Sequence, residues 1–435
     1  MANIHKKYAK PVYLVDGSRT PFLKARGKPG PFKHADLGIN AARSVLLRMP
    51  FAANEIDEVI FGSTMPGPDE ANIARIVALR LGCGDQVPAY TVHRNCASGM
   101  QALDNAAMSI VSGRSDLVLA GGIEAMSQAP LLLHPKMVGW LAQWWGAKSI
   151  GQRLKVLSGF KPRLLTPVIA LLKGLTDPVV GLNMGQTAEQ IAWRFGITRA
   201  QMDQFALESH QKLHQAQQQN ELSEVIPIYD AQGNVYDLDD GVRIDSTLEK
   251  LGRLRPAFDK PYGLVTPGNS AQITDGAAAL VLASEAAVKK HDLPVLARLV
   301  STEWAALDPA EMGLGPAHAI APLLKSQRLK VDDIDYWEIN EAFAAQVLAV
   351  LAALDDKEYC QQHLGLKSAV GGIPLERLNI HGGGVSLGHP VGASGARIVL
   401  HLAKVLEQKN ASKGIASLCI GGGQGGAMLI ERSVA

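Results

Sequence analysis

The chain has 435 residues, of which 47% are hydrophobic and 19% charged, and its formal charge is only +2. That is ample material for more than one buried core and leaves no compositional case for global disorder. The near-neutral balance speaks against a nucleic-acid binder, which carries a strong basic excess. The four cysteines, Cys83, Cys96, Cys360 and Cys419, stand far apart with no C-x-x-C pair. Neither a disulfide framework nor a metal site is expected, and the expected compartment is reducing. The opening stretch Met1–Lys10 is polar and basic, without the apolar core of a secretion signal. No run of about 20 apolar residues marks a transmembrane helix.

In chain order, an apolar strand is expected at Pro11–Asp16 and another at Ile56–Phe61. The strand Ala89–Val92 leads into Arg94-Asn95-Cys96-Ala97-Ser98-Gly99-Met100 and then a helix over Gln101–Ser112. Val118-Leu119-Ala120 runs into Gly121-Gly122. Short apolar strands alternating with helical patterns are the sign of an α/β protein. From Leu131 to Thr176 the pattern breaks. Acidic residues vanish, and Lys148, Arg153 and Lys155 lie among Trp140, Trp144, Trp145 and many leucines. Such a segment suits a membrane surface or a partner groove; an insertion with its own small tryptophan core is the plainer alternative. Thr198–Gln219 then reads as a capped helix with Asp203 and Glu208 on the face opposite Phe205 and Leu213, followed by a turn at Gly233-Asn234. Further on, Ile334–Ile339 echoes Ile56–Phe61, and a helix over Ser394–Leu406 echoes the one after Cys96. The echo implies two related α/β halves, one near each terminus.

Four segments have the residue types of a catalytic site. Cys96 stands at an expected helix N-terminus, where the dipole favours thiolate; a buried structural thiol is the alternative. Asn340, in Asn340-Glu341-Ala342-Phe343, ends a strand, placed either to hold a water or oxyanion or to cap the next helix. His389 lies in the glycine-rich run His381–Gly395, locked before Pro390, and is a candidate general base. Cys419 ends the strand Ile415–Ile420 and faces Gly421-Gly422-Gly423, whose N–H groups suit an oxyanion; the alternative is a small core thiol.

Two motif matches fail. Gly421, Gly423 and Gly426 satisfy G-x-G-x-x-G, but only nine residues follow Gly426, too few for a dinucleotide-binding unit. Gly384-Val385-Ser386-Leu387-Gly388 satisfies the hydrolase elbow G-x-S-x-G. That fold needs an acid and then a histidine after the serine, whereas His389 and His401 both precede Glu407 and Glu431.

Taken together, the nucleophilic cysteine, N-E-A-F, G-H-P-x-G-x-S-G and C-x-G-G-G, in that order, resemble the thiolase family over nearly the whole chain. Arg19-Thr20-Pro21-Phe22, Leu254–Phe258, Gly268-Asn269-Ser270 and Met312–Pro316 add to the likeness. The resemblance implies an α/β thiolase fold: two βαβαβαββ halves stacked as α-β-α-β-α, with a loop domain inserted in the first. The halves are expected at 1–288 and 289–435, and the insertion at about 128–270. The implied activity is an acyltransferase one, 3-ketoacyl-CoA thiolysis, the last step of fatty acid β-oxidation, with coenzyme A as substrate and no covalently bound cofactor. The implied roles are nucleophile for Cys96, base for His389 and acid for Cys419. Asn340, through a water and with His389, would hold the enolate oxygen, and the N–H groups of Cys96 and Gly421 the tetrahedral oxyanion. Ser270 and Arg243 match positions near coenzyme A.

The basic, Trp-rich insertion and Thr91–Cys96 look most like the thiolase subunit of fatty-acid-oxidation multienzyme complexes. That implies a homodimer bound to an α subunit with hydratase and 3-hydroxyacyl-CoA dehydrogenase activities. The expected location is the cytoplasm, with a peripheral membrane contact through 131–176. Asn183 stands before Met184 where short-chain biosynthetic thiolases usually carry a histidine. The alternatives are a biosynthetic acetoacetyl-CoA thiolase, a ketoacyl synthase, and, outside enzymes, a membrane-associated scaffold.

Overall fold

The computed structural model describes residues 8–432. The start of the polar opening stretch, residues 1–7, lies outside the described residues.

The first half runs β1 (Val12–Arg19), α1 (His34–Leu46), β2 (Glu58–Gly62), α2 (Ile73–Arg80), β3 (Ala89–Val92), α3 (Ser98–Ser112) and β4 (Leu117–Ala125). An insertion follows. It includes α4 (Pro135–Gly146), α5 (Ile150–Ser158), α6 (Met184–Arg194) and α7 (Arg199–Gln218), after which the chain returns in β5 (Thr274–Ala283). The second half comprises β6 (Ala297–Ala306), α8 (Gly315–Gln327), β7 (Tyr336–Ile339), α9 (Ala344–Asp355), α10 (Val391–Gln408), β8 (Lys413–Ile420) and β9 (Gln424–Glu431).

The two halves repeat one sheet pattern. In the first, β1, β5 and β4 pair antiparallel, and β4, β2 and β3 pair parallel. In the second, β6, β9 and β8 pair antiparallel and β8 with β7 parallel. The equivalent of β3 shrinks to one parallel bridge between Trp337 and Leu378. A short antiparallel stretch, Val12 to Leu14 against Leu299 to Ala297, joins the halves edge to edge. The echo between Ile56–Phe61 and Ile334–Ile339 therefore falls on equivalent strands, β2 and β7.

Five layers result. Helices α1 and α2 pack on the outer face of the first sheet through Leu37, Val45, Ile73 and Val77. Helices α8 and α9 cover the outer face of the second through Leu323, Leu324, Val347 and Val350. Helices α3 and α10 are sandwiched between the sheets, with Met100, Leu103, Ile398 and Leu402 in one core with Leu14, Leu280, Leu418 and Met428. Sheets covered on both faces need apolar residues on both sides of each strand, which is why β4 and β5 are buried at every position. The central helices pack closely. A Cβ at Gly99 would stand 2.7 Å from the Ala396 nitrogen, and one at Gly395 2.5 Å from the Met100 nitrogen. Glycine is the side chain that lets these two helix starts meet.

Thr198 caps α7 by accepting from the Gln201 N–H, as its sequence predicts. Asp203, expected on its outer face, is instead buried, because it accepts from Asn269 Nδ2 at 2.9 Å and pairs with Arg199. Segment 131–176 builds the small tryptophan core of the plainer reading. Trp140 stacks on Trp144 at 5.7 Å, meets Phe160 edge-on at 5.2 Å and donates Nε1–H to the Val156 carbonyl. Outside that small core, Trp145 and Ile150 are 77% and 79% exposed, and Leu154 and Leu157 are exposed beside them. Among the described residues no helix is long and apolar enough to cross a membrane.

Candidate active site

The close approach of α3 and α10 places two loops together: the one before α3, carrying Cys96, and the one before α10, carrying His389. Asn340 extends β7, its N–H bonded to the Ser417 carbonyl. Cys419 sits near the end of β8, beside the turn Gly421–Gly423. Residues from both halves thus converge on one buried spot.

Cys96 is partly exposed and two residues ahead of α3. The sequence predicts a thiolate favoured by the helix dipole; the structure reverses this. Burial raises the thiol above its usual value and Glu124 adds to the rise, while the N–H groups of Gly421 and of Cys96 itself oppose it. Cys419 is fully buried, and burial first, then the neighbouring Cys96, push it far above the thiol range. In both, burial favours the protonated form.

His389 carries the complementary shift. Burial and then the Arg397 charge lower it to about 3, so its ring is neutral at ordinary pH. Its Nδ1 lies 2.6 Å from Ser394 Oγ, which donates its own proton to the Pro390 carbonyl at 3.1 Å. With that hydroxyl proton on Pro390, we assign the tautomer in which Nδ1–H donates to Ser394 and Nε2 is the bare, basic atom. Asn340 is fully buried, with Nδ2 3.5 Å from both ring nitrogens and Oδ1 without a hydrogen-bond partner among the described residues. The capping alternative fails for Asn340, because Phe343 is the residue at the start of α9.

Several supports were not visible in the motifs as such. Glu341 accepts from Ser209 Oγ at 2.7 Å, Asn379 Nδ2 at 2.8 Å and the Val385 N–H at 3.2 Å, pinning the glycine loop ahead of His389. Asn379 grips Ile339 through both its N–H and its carbonyl. Ser386, the serine of the rejected hydrolase elbow, is buried and bonded to Ser209 and Gly383. Glu124, at the end of β4, accepts from the N–H groups of Thr64, Met65 and Gly392, and so ties the loop after β2 to the start of α10.

Glu124 also faces His34, at 3.4 Å, and His34 lies 3.5 Å from Glu70. Burial alone would lower His34, but the two carboxylates override it and raise it to about 9. A histidine raised above its unfolded value of ~6.5 stabilises the fold fully below that value. The contribution is lost as pH rises through about 9. The unfolding free energy of the wild type over His34→Asn is therefore expected to shrink by ~3 kcal/mol between pH 6 and 9.5. Denaturant titrations at both pH values measure it; a gap that stays constant or widens would overturn the assignment.

The two coenzyme A candidates fall outside the cysteine cluster. Ser270 is buried and donates to the Thr266 carbonyl at 2.7 Å. Arg243 is exposed, in a basic group with Lys24 and Arg26; burial and then these two arginines lower Lys24. Asn183 caps α6 in a reciprocal pair with Gln186, which accounts for an asparagine at that position. Among the described residues no three His, Cys, Asp or Glu are grouped to hold a metal.

The chain also matches known proteins along its length. Residues 12–286 match the thiolase N-terminal domain model and residues 293–432 the C-terminal one. The chain is 36% identical over 431 residues to the mitochondrial trifunctional enzyme subunit beta of Bos taurus, covering 98% of this chain and 90% of that one. It is 36% identical over 423 residues to a 3-ketoacyl-CoA thiolase of Yersinia enterocolitica, covering 97% and 96%. A crystal structure of human mitochondrial 3-ketoacyl-CoA thiolase with CoA superposes with a TM-score of 0.85 at 34% identity, covering 99% of this chain and all of that one. The five-layer fold, the paired cysteines and these matches agree: the chain belongs to the thiolase family of acyltransferases.

Proposed function

We propose that the protein is a 3-ketoacyl-CoA thiolase that cleaves 3-ketoacyl-CoA with coenzyme A in fatty acid β-oxidation. The observation that supports this is the meeting of Cys96 and Cys419, from opposite halves, at the Gly421–Gly423 turn, with His389 held against Asn340. Cys96 adds to the 3-keto carbon and its proton passes to His389 Nε2. The oxyanion so formed lies against the N–H groups of Cys96 and Gly421. The C2–C3 bond then breaks, and Cys419 protonates the departing acetyl-CoA carbanion while Asn340, through a water, and His389 hold the enolate oxygen. The thiol of a second coenzyme A attacks the acyl-enzyme and gives its proton to the Cys419 thiolate. Cys96 leaves, recovering its proton from His389. Arg243, with Lys24 and Arg26, offers positive charge to the phosphates, and Ser270 lines the approach.

A ketoacyl synthase pairs its cysteine with two histidines, or with a histidine and an asparagine, so Cys419 in its glycine loop favours the thiolase reading. Coenzyme A-dependent loss of the magnesium-enolate absorbance of 3-ketoacyl-CoA, profiled as kcat/KM against chain length, tests it. Coenzyme A-dependent turnover of 3-ketoacyl-CoA is expected. No activity with any 3-ketoacyl-CoA sinks the reading.

The same proposal divides the chain at 288/289 with the insertion at about 128–270, supported by the repeated sheet pattern. It makes the protein a cytoplasmic homodimer, for which the unpaired outer edge of β3 is suited. It also adds an α subunit with hydratase and dehydrogenase activities, supported by the likeness to a trifunctional enzyme subunit beta. Segment 131–176, with exposed Trp145, Ile150, Leu154 and Leu157 beside Lys148, Arg153 and Lys155, fits a peripheral contact with an anionic membrane. The protein is expected to sediment with phosphatidylserine vesicles at low salt. Reversing the three charges should lower the partition at least ~10-fold, at roughly 1 kcal/mol per charge near the surface. Absence of the wild type from the pellet would retire the membrane contact without touching the chemistry.

A further inference from the structure

Asn95, immediately before Cys96, has a φ of +43°. Among residues with a side chain, Asn enters this left-handed region most readily. The conformation is braced locally. Ser98 Oγ accepts the Arg94 N–H at 2.9 Å and donates to the Asn95 carbonyl at 2.7 Å. So held, Asn95 reaches across to the other half of the molecule, and its Nδ2–H donates to the Gly421 carbonyl at 2.7 Å.

Gly421 is therefore gripped at two points. Its N–H faces the Cys96 sulfur and its carbonyl faces Asn95. The turn it belongs to has no side chain with which to hold itself, and Gly422 and Gly423 have φ values of +90° and +73°. The antiparallel pairing of Ile420 with Gln424 closes the turn, and the Leu307 N–H donates to the Gly423 carbonyl at 2.8 Å, but neither holds the Gly421 carbonyl. A free turn of three glycines samples many backbone states, and an oxyanion donor helps only when it is fixed before the charge develops.

We propose that Asn95 is a positioning residue for acyl transfer, clamping the Gly421 peptide so that its N–H stays aimed at the reacting centre on Cys96. This rests on the reading of Cys96 as nucleophile. Asn95 touches neither substrate nor leaving group; it acts through Gly421.

The test uses Asn95→Gly, which keeps the left-handed backbone and removes the donor, and Asn95→Asp, which keeps the shape and turns a carboxylate toward the carbonyl. The readouts are kcat and KM for thiolysis and the pH profile of iodoacetamide alkylation, with the labelled cysteine identified by mass spectrometry. For Asn95→Gly, kcat is expected to fall ~10- to 100-fold with KM changed less than about threefold, as befits a misplaced oxyanion donor. The alkylation midpoint of Cys96 should rise by ~0.5 pH unit or more, because the thiolate loses a fixed N–H donor. Asn95→Asp should move the midpoint further in the same direction. Either folded variant with the wild-type midpoint and kcat overturns the clamp. A Cys96→Ser protein that keeps its turnover instead removes the reading beneath it, so the two failures are separable.

Discussion

Replacing Cys96 by serine is expected to lower kcat by ~10⁴-fold or more, about 5 kcal/mol of transition-state stabilisation, and to abolish any acyl adduct. The size of the effect follows from the resting electrostatics. Burial holds the Cys96 thiol above its usual value, and His389, lowered to about 3, is a weak base in the free protein. Thiol and imidazole are both neutral before substrate arrives. Proton transfer becomes favourable only as charge develops on a substrate oxygen facing the Gly421 N–H. A thiol tolerates this arrangement because sulfur is nucleophilic even when weakly ionised. A serine hydroxyl, several units less acidic, leaves the same weak base nothing to activate. Single-turnover kinetics with mass spectrometry of the trapped protein measure both parts. Retention of more than a tenth of the wild-type turnover, or an adduct on another residue, would refute the assignment.

The proposed reacting groups stand out in the sequence because their types are rare and their surroundings unusual. A cysteine before a helix, a histidine among glycines and a cysteine facing three glycines each stand out from a core pattern. The repeated halves were legible through β2 and β7, whose short apolar runs match. What holds the groups in place was not legible. Asp203 reads as an outer-face charge, and nothing local marks the roles of Glu124 and Glu341, yet each is buried where backbone or amide N–H groups from distant segments meet it. Their meaning depends on partners remote in the chain. The upward shift of the Cys96 thiol is hidden from the sequence for a related reason: the helix dipole is local and visible, whereas desolvation comes from the whole fold. In the second half, the strand equivalent to β3 has contracted to one bridge at Leu378, so no alternating run announces it.

Cys419→Ser should separate the two half-reactions. Thiolysis is expected to fall ~10³-fold, the typical range for loss of a positioned acid–base group. Exchange of labelled coenzyme A into acetyl-CoA makes and breaks no carbon–carbon bond and asks Cys419 only to pass the proton of a thiol, far more acidic than a C–H group, so it should stay within about tenfold of wild type. The basis is again burial. Cys419 is fully enclosed and shares its surroundings with Cys96, so its thiol stays protonated and any negative charge on Cys96 strengthens that hold. It is built to keep a proton until a carbanion appears beside it, and a serine in its place is a weaker acid at the same spot. In the synthetic direction the same sulfur must remove the proton from the acetyl methyl group. Deuterium exchange into the methyl of acetyl-CoA should therefore vanish in Cys419→Ser while coenzyme A exchange persists. If methyl exchange continues at the wild-type rate, the proton is handled elsewhere, and His389, the other titratable group in the cluster, becomes the acid.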